Sequence, residues 1–232
     1  MLSDLSYTII PNCRCKPNFY CYNKEPTQTM LKIIIGTKNQ AKLKQIQGAL
    51  APLQMNVLGL PSDRKLPQVV EDGQTARENA KKKALTYAKT LNQPVLSMDN
   101  ALYFKNLPKE QQPGINVRRI QARTDRPTDN ELLSHYSKLV KNLGGNVKGH
   151  WEFALCYAMP DDTTRETTIL SPRVFTNKIS PKRIAGYPLE SIQIDPTTNK
   201  YISEMNQQEQ DQFWQRTIGQ PLCEFVKNCT LD

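Results

Sequence analysis

An α/β fold is predicted from three features of the 232-residue sequence. Apolar residues alternate between strand-like and helix-like spacing through the first half. The second half carries long strand-like runs joined by a tight turn. Polar caps stand directly ahead of three amphipathic runs. Together these describe a central mixed sheet flanked by helices. A single domain over residues 30–232 is expected. Met30 opens the first regular element, so residues 1–29 read as a poorly ordered N-terminal extension.

The first strand is "LKIIIG", followed by a helix from about Asn39 to Leu50 that places Leu43, Ile46 and Leu50 on one face. "MNVLGL" reads as a short pairing strand. Thr75 and Glu78 form a capping box that opens a helix through about Leu91. Its close-packing stripe is Ala80, Ala84 and Ala88, and Lys81, Lys82 and Lys83 are assigned to its solvated side. "PVLSM" is a buried strand with Asp99 at its C-terminal end. Thr128 and Glu131 cap the next helix, which Gly144 and Gly145 stop. "HWEFALCYAMP" and "ETTILSPRVFTNKIS" make a hairpin turning at Asp161–Asp162. A last helix runs from about Gln207 to Asn228, with Asn206 and Glu209 at its start and a disturbance at Gly219–Pro221.

Composition narrows the function classes. Hydrophobic residues at 38 % and charged residues at 23 % are those of an ordinary globular protein. No apolar run approaches the length of a membrane span. The net charge of +9 fits anionic partners, although a solvated basic surface gives the same number. Nucleic acid is not the expected partner: there is no RNA-recognition aromatic motif, helix-turn-helix signal or zinc-finger spacing. Residues 1–29 lack the compact apolar core of a signal peptide, so free thiols in a reducing cytoplasm are expected of the six cysteines. Cys13, Cys15 and Cys21 lack a nearby fourth ligand and are not read as a metal site.

Three stretches carry candidate chemistry. In "GTKNQAK", a strand breaks into a helix N-terminus, where free backbone N–H groups and the helix dipole suit an anion. Thr37 and Asn39 add hydrogen-bonding groups there, and Lys42 adds a charge. An ordinary helix cap with surface lysines is the alternative, and the Gly-rich phosphate loop is absent. Glu71-Asp72-Gly73 forms a polar turn before the second helix. Asp99 follows a buried strand, where open α/β sheets bind ligands. Two carboxylates beside a phosphate cradle make a hard-oxygen site suited to Mg2+. His135 and His150 sit in no nucleophile motif.

These stretches, in this order, resemble the inosine triphosphate pyrophosphatase family. "GTKNQAKLKQI" is similar to its T-x-N-x-x-K signature. "EDGQTARENAKKKA" is similar to its E-x-G-x-T-x-x-E-N-A-x-x-K-A segment. "LSMDNAL" stands where the family has A-D-D-S-G-L, and "QPGINVRR" resembles its P-G-x-x-S-A-R loop. The resemblance spans about Met30 to Val226. It implies two lobes with an active cleft between them, a homodimer and a cytoplasmic enzyme. It also implies Mg2+-dependent hydrolysis of non-standard purine nucleoside triphosphates (ITP, dITP, XTP) to monophosphate and pyrophosphate.

By match, Thr37, Asn39 and Lys42 hold the phosphates, Asp99 is the catalytic base or a metal ligand, and Glu71 is a metal-side acid. Tyr187 and Glu190 fall in the base-recognition loop, and Arg216 keeps the Arg of a C-terminal S-H-R. The chain differs from the family at Met98, in place of an acid, and at Gln45, Asn100, Ala101, Gln210 and Gln215. The base-contacting half is therefore rewritten more than the phosphate half, and a catalytically impaired nucleotide-binding relative is the competing expectation.

Overall fold

The computed structural model describes residues 31–120 and 127–230. The expected extension over residues 1–29, with Cys13, Cys15 and Cys21, lies outside the described residues. Six strands form one sheet: β1 (Lys32–Ile35), β2 (Asn56–Leu58), β3 (Val95–Phe104), β4 (Asn146–Ala158), β5 (Thr164–Thr176) and β6 (Gln193–Ile194). Their order is β2-β1-β3-β4-β5-β6. β1 runs parallel to β2 and β3, and the remaining pairs are antiparallel. The helices are α1 (Gln40–Leu50), α2 (Ala76–Leu91), α3 (Asp129–Asn142), α4 (Gln207–Trp214) and α5 (Gln220–Thr230). The mixed, helix-flanked sheet is the one the sequence predicts. No helix among the described residues is long and apolar enough to cross a membrane.

Each face of the sheet is sealed by a different helix set. Ile33, Ile35, Leu96, Met98, Phe153 and Leu155 face α1 and α5, meeting Ile46, Leu50, Leu222 and Val226. On the opposite face Ala76, Ala80, Ala84 and Ala88 of α2, all fully buried, pack on Val95, Ala101, Ala154 and Cys156. Alanine every fourth residue lets the helix backbone approach the sheet closely. A third cluster joins α3 to the far ends of the strands through Leu132, Tyr136, Val140, Phe104 and Phe175.

Caps decide where the helices begin. Asn39 Oδ1 accepts from the backbone N–H of Ala41 and Lys42, and the capping boxes of Thr128–Glu131 and Asn206–Glu209 are complete. The box expected at α2 is half formed. Thr75 Oγ1 takes the Glu78 N–H, but Glu78 Oε2 reaches back to the N–H of Gln74 instead of Thr75. The disturbance expected near the C-terminus is a π-helical turn, Gln215–Gly219, between α4 and α5. Pro221 has no N–H and its ring would crowd the carbonyl of Thr217, so the wider turn absorbs it.

One correction to the sequence reading positions the site. Asp99 does not end a strand, because β3 continues to Phe104. β1 instead ends early: its register with β3 stops at Ile35↔Leu96. Beyond that point the edge of β3 carries one isolated bridge among the described residues, Leu102↔Gly114. The turn out of β1 is tight. Gly36 N–H donates to Leu96 O at 2.8 Å, and a Cβ at Gly36 would lie 2.2 Å from Ser97 Oγ and 2.8 Å from Val95 Cγ1. Gly36→Ala is expected to destabilise the fold by about 1–3 kcal/mol through this overpacking, read as a lowered thermal midpoint.

Candidate active site

A cavity of about 320 Å³ opens beside the uncovered edge of β3. By chemistry its lining divides into a charged end, Asn39, Lys42, Glu71 and Asp99, and an aromatic end with buried polar groups, Trp151, Phe153, Tyr187, Glu190, Gln193 and Trp214. Side chains alternate between faces along a strand. With the edge bare, both Asp99 and its neighbour Asn100 reach the same cavity.

Lysines and carboxylates interlock at the charged end. Lys83 Nζ lies 3.2 Å from Asp99 Oδ1 and 3.2 Å from Glu71 Oε1, and donates to Met98 O at 3.2 Å. Lys42 Nζ approaches Asp99 Oδ1 at 3.6 Å. Burial, and then the neighbouring Lys83 ammonium, lower the Lys42 pKa to about 8, against the opposing pull of Asp99 and Glu71. The assignment of Lys83 to the solvated side of α2 is thus corrected: it is buried. The signal was present in the sequence. Asn79, Lys83 and Tyr87 recur every fourth residue beside the alanine stripe, and all three are buried.

Glu71 is placed by the turn into α2. Gly73 N–H donates to the buried Asn79 Oδ1 at 2.8 Å, and a Cβ on Gly73 would meet that oxygen at 2.8 Å. The α1 terminus is less open than a bare helix end. Asn39 Oδ1 already occupies the N–H groups of Ala41 and Lys42, and Thr37 Oγ1 takes that of Asn39 at 3.2 Å. Asn39 and Lys42 line the cavity, and Thr37 is not among its lining residues. Met98, where the resembling family has an acid, packs in the core at 2 % exposure.

At the aromatic end Trp151 Nε1 donates to Gln193 Oε1 at 2.9 Å. Burial pushes Glu190 up to about 8, against the pull of Arg173, and pushes the Tyr187 phenol up to about 12. Tyr187 Oη and Asn100 Oδ1 are buried without a hydrogen-bond partner among the described residues. Arg173 lies beneath this end, fully buried, with its guanidinium 4.3 Å from the Phe213 ring centroid. Arg216 is not brought to the cavity: its Nη2 pairs with the buried Asp195 Oδ2 at 2.7 Å. Gln210 and Gln215 also turn away, donating to Met205 O and to Gly48 O. The structure adds Trp151, Phe153, Trp214 and Gln193 to the lining, none of which was singled out as a site residue from sequence, and it brings Arg118 and Arg119 of the "QPGINVRR" loop there as well. Neither His135 nor His150 lines the cavity.

The Ham1 family model matches residues 33–219. The dITP/XTP pyrophosphatase of Exiguobacterium sp. is 29 % identical over 181 residues, which cover 77 % of this chain and 88 % of the relative. The protein of the same name from Thermus thermophilus is 28 % identical over 193 residues, covering 80 % and 86 %. A HAM1 protein from Coxiella burnetii shares the fold with a TM-score of 0.70 at 20 % identity, over 86 % of this chain and 100 % of that one. The Ham1 protein of Staphylococcus aureus does so at 0.64 and 22 %, over 85 % and 98 %.

The lowered Lys42 pKa has a direct consequence. Its ammonium is present below about pH 8 and lost above it, so the cavity sheds positive charge there. Affinity for inorganic pyrophosphate, measured calorimetrically, is expected to fall as pH rises through about 8. In Lys42→Met it is expected to be weaker and to lack that step.

Proposed function

The chain belongs to the Ham1 family, and on that premise we propose that it is a nucleoside triphosphate pyrophosphatase acting on non-standard purine nucleotides. The substrates in this reading are ITP, dITP and XTP, and the products are the monophosphate and pyrophosphate. The relatives named dITP/XTP pyrophosphatase support it. The observation that carries it is the two-ended cavity: Lys42, Lys83, Glu71 and Asp99 converge at one end, and aromatic rings line the other.

In this reading the triphosphate lies against Lys42 and Asn39 and the base enters the aromatic end. Glu71 and Asp99 fit a Mg2+ ion by the chemistry of their donors. Two carboxylates meet at one ammonium, 3.2 Å from each, and Mg2+ is commonly held by one or two carboxylates plus substrate phosphates and water. When bound, the ion would neutralise charge developing on the phosphate oxygens. Asp99 takes a proton from the attacking water as its oxygen bonds to the α-phosphorus. The bond from that phosphorus to the bridging oxygen breaks, and the electron pair leaves with pyrophosphate. Lys42 stabilises the charge that accumulates there. Glu190 and Tyr187 contact the base in this reading. Arg216, paired with Asp195 away from the cavity, has no substrate contact in this reading. A homodimer in the cytoplasm belongs to the same reading.

A second reading, a nucleotide-binding relative without turnover, is favoured by Met98, which supplies no oxygen where a second acid would stand. The two separate in one assay. Pyrophosphate release from ITP is expected with Mg2+ and not with EDTA. Asp99→Asn is expected to lower it by about 10²–10⁴-fold, the usual contribution of a general base. Wild-type ITP binding without release would favour the second reading. Full activity in Asp99→Asn would remove Asp99 from the base role.

A further inference from the structure

We propose that Gln193 selects the base: its amide offers a fixed N–H donor to a ring carbonyl, so oxo-bearing bases are taken over adenine. The inference rests on the triphosphate reading of the cavity and deepens it.

The orientation of the Gln193 amide follows from its partner. The Trp151 indole N–H can only donate, and it lies 2.9 Å from Gln193 Oε1. The oxygen must therefore face the indole, and the NH2 group must face the other way. Gln193 is 2 % exposed and lines the cavity, and no described residue accepts from its Nε2. Its Nε2 is therefore a donor left free on the cavity wall to meet a ligand acceptor. Asn100 Oδ1 and Tyr187 Oη, on two other lining residues, are buried without a partner among the described residues. With Gln193 Nε2 they are three polar atoms among Trp151, Phe153 and Trp214 that a base edge would satisfy.

The pinned amide is the one whose direction cannot invert. Turning it over would set its NH2 against the indole N–H, donor against donor. A site with a fixed, otherwise unpaired donor rejects a ligand lacking the matching acceptor. Hypoxanthine, xanthine and guanine all carry a ring carbonyl, and adenine carries none. Gln193 thus discriminates against adenine and not between hypoxanthine and guanine. Trp151 is a positioning residue, because it acts by holding the Gln193 amide.

The test compares wild type, Gln193→Met and Trp151→Phe. For each, kcat/KM or Kd is measured for ITP, GTP and ATP, and Kd for inorganic tripolyphosphate, which has no base. In Gln193→Met the ITP-to-ATP ratio is expected to fall about tenfold, with the ITP-to-GTP ratio and tripolyphosphate Kd within about twofold of wild type. Trp151→Phe, which keeps the ring and removes the indole N–H, is expected to lower the ITP-to-ATP ratio in the same direction. A purely structural role would weaken all ligands together, tripolyphosphate included. An unchanged ITP-to-ATP ratio in the variants, with tripolyphosphate still bound, overturns the inference alone. Failure of the wild type to bind tripolyphosphate overturns the triphosphate reading and this inference with it.

Discussion

Strand β1 stops at Ile35 while its neighbour β3 runs on to Phe104, and the overhang this leaves governs the site. A paired strand presents each face to a different layer of the core, and its edge is closed. An overhanging strand presents both faces and an edge to one space. Asp99 and Asn100 can therefore line a single cavity, although they point to opposite sides of the sheet. The overhang is held in place by tight packing at Gly36 and by the long antiparallel ladder to β4, whose register extends from Val95↔Ala158 to Phe104↔Gly149. The rigid face of the sheet thus carries the Asp99 carboxylate, and the loops around it complete the walls.

The charged end shows how a buried cluster can be kept both stable and useful. An isolated carboxylate beside the core would be expensive to bury. Lys83, rising from the buried side of α2, offsets that by meeting Asp99 and Glu71 together. Lys42 then sits close to a second ammonium, which helps to depress its pKa. An anion placed beside Lys42 would relieve that repulsion. At the other end the same economy of partners is reversed. Asn100 Oδ1, Tyr187 Oη and Gln193 Nε2 have no hydrogen-bond partner among the described residues and stand among aromatic rings, which suits a planar ligand with hydrogen-bonding edges.

Much of the fold was legible because local signals agreed with one another. Asn39, Thr75, Thr128 and Asn206 all cap helices where their spacing predicted, and the π-helical turn falls beside Pro221 as the broken pattern suggested. Strand length was not legible. "NALYF" has no alternation that separates it from a loop, because β3 is buried on both faces along most of its length. Three adjacent lysines looked alike in sequence, and only their register against the alanine stripe distinguishes Lys83. The aromatic end was the least legible. Trp151, Gln193 and Trp214 are distant in sequence and are joined by tertiary pairing alone, and Arg216 was drawn to Asp195 by a charge that no spacing rule reveals. The residues resembling a known family's phosphate motifs fared better, since Asn39, Lys42, Glu71 and Asp99 all line one cavity.

The central claim is that the Asp99 end of the cavity directs water to the α-phosphorus of a bound triphosphate. Hydrolysis of ITP in oxygen-18 water, with mass analysis of both products, tests it most directly. The account predicts label in the nucleoside monophosphate and none in the pyrophosphate. Label in pyrophosphate, or release of single phosphate with a diphosphate product, would contradict it.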